Sequence, residues 1–250
     1  VVAFMREWAG LGYYSRARNL HKCANVIVNE YDSQFPKDQA QLKKLPGIGD
    51  YTAAAIASIA YDEPAVVIDG NVDRIMARVF AIKTPFPEGK KVVREYASQL
   101  SENCDDRPGD YAQGLMDLGS MICTPKKPLC GQCPIQDVCL AYAEGEAEKY
   151  PIKKPKAEKP KRYGAVYWLY DKQGRAVFEK RPEKGLLGGM IGLPTSEWIT
   201  ADDVGEREEY KKINVQVRHV FTHFKLSLDL YTKEIDDLEK IDLIKACSPI

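Results

Sequence analysis

Four cysteines, Cys123, Cys130, Cys133 and Cys139, fall in one short stretch spaced C-x6-C-x2-C-x5-C. Thiols gathered this closely are ligands for a metal centre, and zinc and an iron-sulfur cluster both accept four of them. One C-x2-C pair with uneven flanks is less like a zinc ribbon than like a cluster loop. Lys126 and Lys127 lie inside the loop, where two ammonium groups suit phosphate contact, or are merely solvated. Earlier in the chain, the stretch LPGIGDYTAAAIASIAYDEPAVVIDGNVDR (45–74) carries two further chemistries. Gly47 and Gly49 permit backbone angles closed to other residues, leaving the amides that open the next helix free to seat a phosphate. The apolar run Val66-Val67-Ile68 then delivers a lone carboxylate, Asp69, just before Gly70 and Asn71. The plainer alternatives stand beside these readings: a Gly-x-Gly turn that only reverses the chain, and Asp69 or Asn71 as a helix cap.

The elements that position these groups follow from hydrophobic periodicity. It predicts helices over 17–31, 39–44, 51–60, 72–82, 90–101 and 111–121, separated by short Pro- or Gly-containing loops, which is the pattern of a compact α domain. Before the first helix, Trp8 and one of Tyr13 and Tyr14 are expected in the core, leaving the other tyrosine available for stacking. Residues 149–162, rich in Lys and Pro, are expected as a semi-extended basic linker able to lie along a nucleic-acid backbone. The pattern then changes to strands. Residues 165–170 and 176–180 flank the turn Asp171-Lys172-Gln173-Gly174 as a hairpin, and the alternation over 215–231 continues an α+β module. The acidic end, from Asp229 onward, is expected to be solvated. The domain boundaries read from composition are therefore 1–148, a linker over 149–162, and 163–250.

At 250 residues the chain is long enough for two domains. Lys plus Arg equals Asp plus Glu at 36 each, so local rather than global charge must point to any polyanionic partner. No apolar run reaches membrane-spanning length and no signal peptide opens the chain, so a soluble, intracellular protein without membrane association is expected. Seven cysteines, an odd number with four clustered, do not make a secreted disulfide framework. Cys23, Cys104 and Cys247 are read as ordinary thiols. The chain begins at Val1 rather than Met, as a fragment or processed form does.

Five motifs occur in order: GLGYYSRARNLH, LPGIG before a small-residue helix, VIDGNVDR, the cysteine loop, and the strand-rich C-terminal part. Together they resemble the adenine DNA glycosylase (MutY) family of helix-hairpin-helix glycosylases, which also include endonuclease III. The resemblance implies a mostly α helix-hairpin-helix glycosylase domain with an iron-sulfur cluster loop, plus a C-terminal α+β Nudix-like domain. It further implies a 4Fe-4S cofactor, duplex DNA with adenine opposite 8-oxoguanine or guanine as partner, and a monomer in the bacterial cytoplasm, associated with the nucleoid. By the family motif, Asp69 steadies the oxocarbenium-like sugar and Asn71 positions sugar or water. Tyr13 resembles the wedge that stacks beside the lesion, and Gln113 matches a residue near the adenine pocket. Tyr51 stands where endonuclease III-like enzymes carry a Schiff-base lysine, so strong strand cleavage is not expected. Phe221, Thr222 and His223 match the loop that recognises 8-oxoguanine, with Phe221 and Phe224 also candidates for strand core. The module lacks the glutamate-rich Nudix signature and is expected to recognise a base without hydrolysing nucleotides.

One family element is missing. The stretch resembling E-V-M-L-Q-Q-T, whose glutamate protonates the departing adenine, does not occur, and Glu7 does not replace it. General acid help contributes roughly 10² to 10⁴-fold, so the 250-residue chain by itself is expected to be impaired or inactive. An endonuclease III-like pyrimidine glycosylase and a non-catalytic DNA-binding protein are the alternatives.

Overall fold

A computed structural model of the chain describes residues 2–101, 104, 106–155, 157–182, 185–201 and 208–236. Cys247 and the end of the acidic tail lie outside the described residues. Two units are present, Val1–Pro155 and Lys156–Ile250. Among the described residues no helix is long and apolar enough to cross a membrane.

In the first unit, α1 (Val2–Glu7) and α2 (Tyr14–Glu30) precede the short α3 (Gln39–Leu42), and α4 (Asp50–Tyr61) follows a glycine turn. Cys23 and Ile27 of α2, Leu42, Leu45, and Ala53 and Ala57 of α4 form one buried cluster. Next come α5 (Gly70–Val79), α6 (Gly89–Ser101) and α7 (Pro108–Asp117), and α7 ends in a π-type turn over Leu118–Ile122. Val72, Ile75 and Met76 of α5 pack on Val93 and Ala97 of α6. Every residue of α5 from Val72 to Arg78 is buried, its charged ones included. Asp73 is answered by Lys90 at 2.6 Å from α6. The small residues of α4 have a structural purpose: Ala54 forms a buried cluster with Val67 and Ala112, which brings α7 close. The cysteine loop follows, with α8 (Leu140–Ala143) packed against α5 through Ala141 and Ala77.

The predicted helices are present, with ends displaced by a few residues. Two differences have physical causes. α1 is too short and too weakly patterned for periodicity to detect, and α7 stops at Asp117 because the π-type turn takes over.

The second unit contains strands β1 (Lys161–Tyr170), β2 (Glu179–Lys180), β3 (Ile191–Gly192), β4 (Lys211–Val220) and β5 (Lys225–Glu234). Its main sheet runs β1-β5-β4 with β5 central, parallel to β1 and antiparallel to β4, and a bulge lies between Ile213 and Gln216. One sheet face buries Val166, Leu226 and Leu228 with Phe224, and the other buries Ala165, Tyr167, Leu169 and Tyr231. Among the described residues this unit holds strands and turns.

Three expectations are corrected here. The chain turns back at Asp171 as predicted, with Val177 N donating to Leu169 O, but β2 then leaves β1 and pairs with β3. Residues from Asp229 are not a solvated tail, since they complete β5, and Tyr231 is buried. Residues 149–162 do not form one free linker. Tyr150 is buried against α5 and α8, Phe86 N donates to Ile152 O at 2.8 Å, and Lys161 and Arg162 already belong to β1.

Candidate active site and cluster loop

Asp69 sits at the N-terminus of α5 with its side chain turned onto the helix. Its Oδ1 accepts from the amides of Asn71 and Val72, both at 2.8 Å, and its Oδ2 accepts from Asn71 Nδ2 at 3.1 Å. The cap predicted as the plainer reading is therefore real, yet it occupies mainly one oxygen. Asn71 is fixed in turn: its Oδ1 accepts from Arg74 Nη2 at 2.9 Å. Arg74 also donates to Gly119 O at 2.6 Å, to Cys123 O at 2.7 Å and weakly to Gly70 O at 3.4 Å. Burial pulls the Arg74 pKa below its ordinary value. A continuous set of bonds thus runs from the carboxylate to the backbone of the first loop cysteine. Gly119 makes the approach possible, because a Cβ there would lie 2.5 Å from Asn71 Cβ.

The two hairpin glycines differ, which corrects the expectation that both need special backbone angles. Gly47 has φ +80° and presses on α2, where an added Cβ would meet Asn19 Cβ at 2.7 Å. Gly49 has φ −96° and ψ −176°, extended backbone open to any residue, and a Cβ there would meet nothing. Gly49 is the N-cap of α4 and supplies no side-chain cap, so the first amides of that helix are left for solvent or a ligand.

Tyr51, in the first turn of α4, is 43% exposed, and its hydroxyl lies 3.9 Å from Met116 Sδ. Gln113 stands three residues before Met116, on the same side of α7, exposed and with its Nε2 donating to Gly109 O. α7 and its π-type turn therefore meet Tyr51 through Met116 and Asn71 through Gly119. Tyr13 has φ +47° and is 76% exposed, whereas the Tyr14 hydroxyl accepts from Gly10 N. Trp8 is half-buried, its indole donating to Gly12 O at 3.0 Å.

In the loop, Cys123, Cys130, Cys133 and Cys139 line one apolar cavity together with Arg78. Burial pushes the Cys130 and Cys139 thiols up, and the neighbouring sulfurs add to the effect. A cluster offers one iron to each thiolate and so suits four sulfurs that share one cavity. Lys126 and Lys127 are exposed, and Lys127 N donates to Glu148 Oε1 at 3.1 Å.

In the second unit, Phe221 N donates to Phe224 O at 2.9 Å, closing a turn with Thr222 and His223 exposed at its tip. Phe224 is core, and Phe221 packs on Trp198, His219 and Phe224 with ring centroids 4.4–5.9 Å apart. Beside this turn, Lys161, Arg218 and Lys225, with Tyr163 and Ser227, line a groove of roughly 540 Å³.

Comparison with known proteins agrees with this geometry. Residues 3–102 match the HhH-GPD superfamily of base excision DNA repair proteins, 123–139 the iron-sulfur binding domain of endonuclease III, and 165–246 a NUDIX domain. Adenine DNA glycosylase of Buchnera aphidicola from Schizaphis graminum is 36% identical over 233 residues, 88% of this chain and 65% of the relative. The Arabidopsis thaliana adenine DNA glycosylase is 38% identical over 86% of this chain and 36% of its own length, and the human one 29% over 90% and 52%. The chain is thus similar to adenine DNA glycosylases over most of its length. It spans about one third to two thirds of the length of these relatives. A thermostable thymine-DNA glycosylase structure aligns with a TM-score of 0.50 at 28% identity, over 57% of this chain and 66% of that one. Residues 123–139 form an iron-sulfur cluster loop.

Sequence reasoning overlooked Arg74, Arg78 and Gly119. The first two gave no local signal: they are arginines four apart on the face of the helix opposite Val72, Ile75, Met76 and Val79, which reads as a solvated face.

Proposed function

We propose that the chain is part of a DNA repair glycosylase that hydrolyses the N-glycosidic bond of adenine paired with 8-oxoguanine or guanine, without strong strand cleavage. The observation that carries this reading is the arrangement at Asp69. One oxygen is held by two helix amides, the other by a single carboxamide, so the carboxylate is fixed in place while its Oδ2 keeps acceptor capacity. As the glycosidic bond breaks, positive charge grows on the sugar, and a carboxylate that need not reorganise stabilises it. Asn71, held by Arg74, keeps that oxygen aimed and is placed to meet the sugar or the attacking water.

The adenine must leave the stack, at a cost of a few kcal/mol offset elsewhere in the complex. Tyr13 supplies an exposed ring to fill the gap and Gln113 an amide edge for the flipped base. The α4 amides behind Gly47 and Gly49, together with Lys126 and Lys127, hold the phosphates. Tyr51 offers a phenol where lyase chemistry needs an amine, so attack falls to water. Cys123, Cys130, Cys133 and Cys139 each give one thiolate to the cluster, which when bound ties the loop into a single rigid piece. In the second unit Thr222 and His223 meet the opposite base, with Phe221 bracing the turn, and Lys161, Arg218 and Lys225 are placed for the adjoining phosphates.

The test is Asp69→Asn in the full-length protein. An asparagine still caps α5 through its Oδ1, so folding and mispair binding are retained, while single-turnover adenine release falls by about 10²-fold or more. Adenine release at the normal rate would remove Asp69 from the chemistry. A covalent complex trapped with borohydride would contradict the role given to Tyr51.

A further inference from the structure

Arg78 is the bulkiest of the fully buried side chains, 1% exposed, and the chemistry above makes no use of it. Its Nε donates to Tyr150 O at 3.2 Å, Nη1 to Thr124 O at 2.8 Å and to Cys123 Sγ at 3.2 Å, and Nη2 to Pro125 O at 3.2 Å. Carbonyl dipoles satisfy most of its donors, but no ion pair among the described residues answers its charge. A buried cation without an anion is expensive. The one group in its shell able to carry negative charge is the Cys123 sulfur, and the same cavity is lined by Cys130, Cys133 and Cys139.

We propose that Arg78 is the counter-charge of the iron-sulfur cluster and sets its reduction potential. The proposal rests on the cluster reading of the four cysteines. An iron core bound by four thiolates is net negative, and more so in its reduced form. A fixed cation within hydrogen-bond reach of one thiolate therefore stabilises the reduced form more and raises the potential. The same fork, by holding the carbonyls of Thr124, Pro125 and Tyr150, also orients Cys123 toward the cavity.

The test uses the cluster-loaded chain and reads the potential by voltammetry, the oxidised fraction by electron paramagnetic resonance after ferricyanide, and iron release to a chelator. In Arg78→Gln the expected results are a lower potential, a larger oxidised fraction and iron retention weakened by about 10- to 100-fold. Arg78→Lys keeps the charge but not the fork, so its potential stays near the parent value while iron retention falls. A parent-like potential in Arg78→Gln, or an equal drop in both variants, overturns the counter-charge and leaves only a structural clamp. If Arg78→Gln does not hold a cluster, Arg78→Lys decides by itself: a parent-like potential supports the proposal and a lowered one overturns it. A parent protein that purifies colourless with zinc would defeat the cluster reading, and with it the proposal, before any variant is made.

Discussion

Replacing Gly119 by alanine tests whether the placement of Asn71 controls the chemistry. The added methyl carbon would lie 2.5 Å from Asn71 Cβ and 3.0 Å from its Cγ. Carbon atoms in contact settle at roughly 3.5–4.0 Å, so one side must retreat by about 1 Å. Arg74 binds both Gly119 O and Asn71 Oδ1, which prevents the two sides from parting independently. The displacement therefore passes to the Asn71 carboxamide and to the Asp69 Oδ2 that it holds. A misplacement of about 1 Å at a reacting centre costs on the order of 10²-fold in rate. Overpacking costs about 1–3 kcal/mol of stability, a smaller effect that a melting curve separates. In the full-length protein, single-turnover adenine release followed by alkaline cleavage of the abasic product should slow by about 10²-fold, while anisotropy binding to the mispaired duplex changes little. Gly131→Ala, where a Cβ would meet nothing, is the control. Release by Gly119→Ala at the parent rate would refute the argument that Asn71 positions the carboxylate.

The hairpin glycines should separate under the same substitution. Gly47→Ala forces a left-handed alanine onto Asn19, costing about 1–2 kcal/mol in backbone alone and weakening binding even to undamaged duplex, whereas Gly49→Ala should change the melting free energy by less than about 0.5 kcal/mol. The second unit should show an acid dependence through Asp171. Burial pushes this carboxyl up, but bonds from Arg175 and from the Gln173 and Arg175 amides outweigh it and hold it below the ordinary range. A depressed carboxylate contributes stability that is fully present above its unfolded pKa, about 4, and is lost as pH falls through the folded value. Thermal melts should therefore show Asp171→Asn less stable than the parent near neutral pH, with the gap narrowing as pH drops below about 4. A gap independent of pH would assign the loss to packing.

Much of the first unit was legible because its signals are local. The periodic helices, the glycine hairpin and the cysteine spacing each lie within a few turns of chain. Asp69 was legible as a type of residue, and both readings offered for it suit the geometry, since a capping carboxylate keeps a second oxygen. What could not be read depends on contacts distant in sequence. Arg74 reaches Gly119 and Cys123, 45 and 49 residues away, and nothing local distinguishes it from a solvated arginine. The different needs of Gly47 and Gly49 are set by what lies beside each, α2 in one case and open space in the other. In the second unit the turn at Asp171 was written in its Asp and Gly, but the partner of β1 was not. A hairpin is the nearest pairing available to a strand, and here only its first rungs form, at Ala176 and Val177, on the edge of β1 opposite β5.

The parallel pairing of β1 with β5 has a consequence for how the chain is made. β1 lies against a parallel β5 whose residues follow some 64 positions later, as for Thr232 bonded to Trp168 O. The pairing of β1 with β5 cannot form until nearly all of the intervening chain has left the ribosome. The helices before it, built on short-range contacts, have no such wait. Because loop closure must precede any reward from non-local pairing, the strand unit is expected to be the slow, late-forming part of the molecule. During that interval the edge of β1 that will meet β5 is unpaired, with Lys161 and Arg162 at its start as its charged safeguard against pairing with the wrong chain.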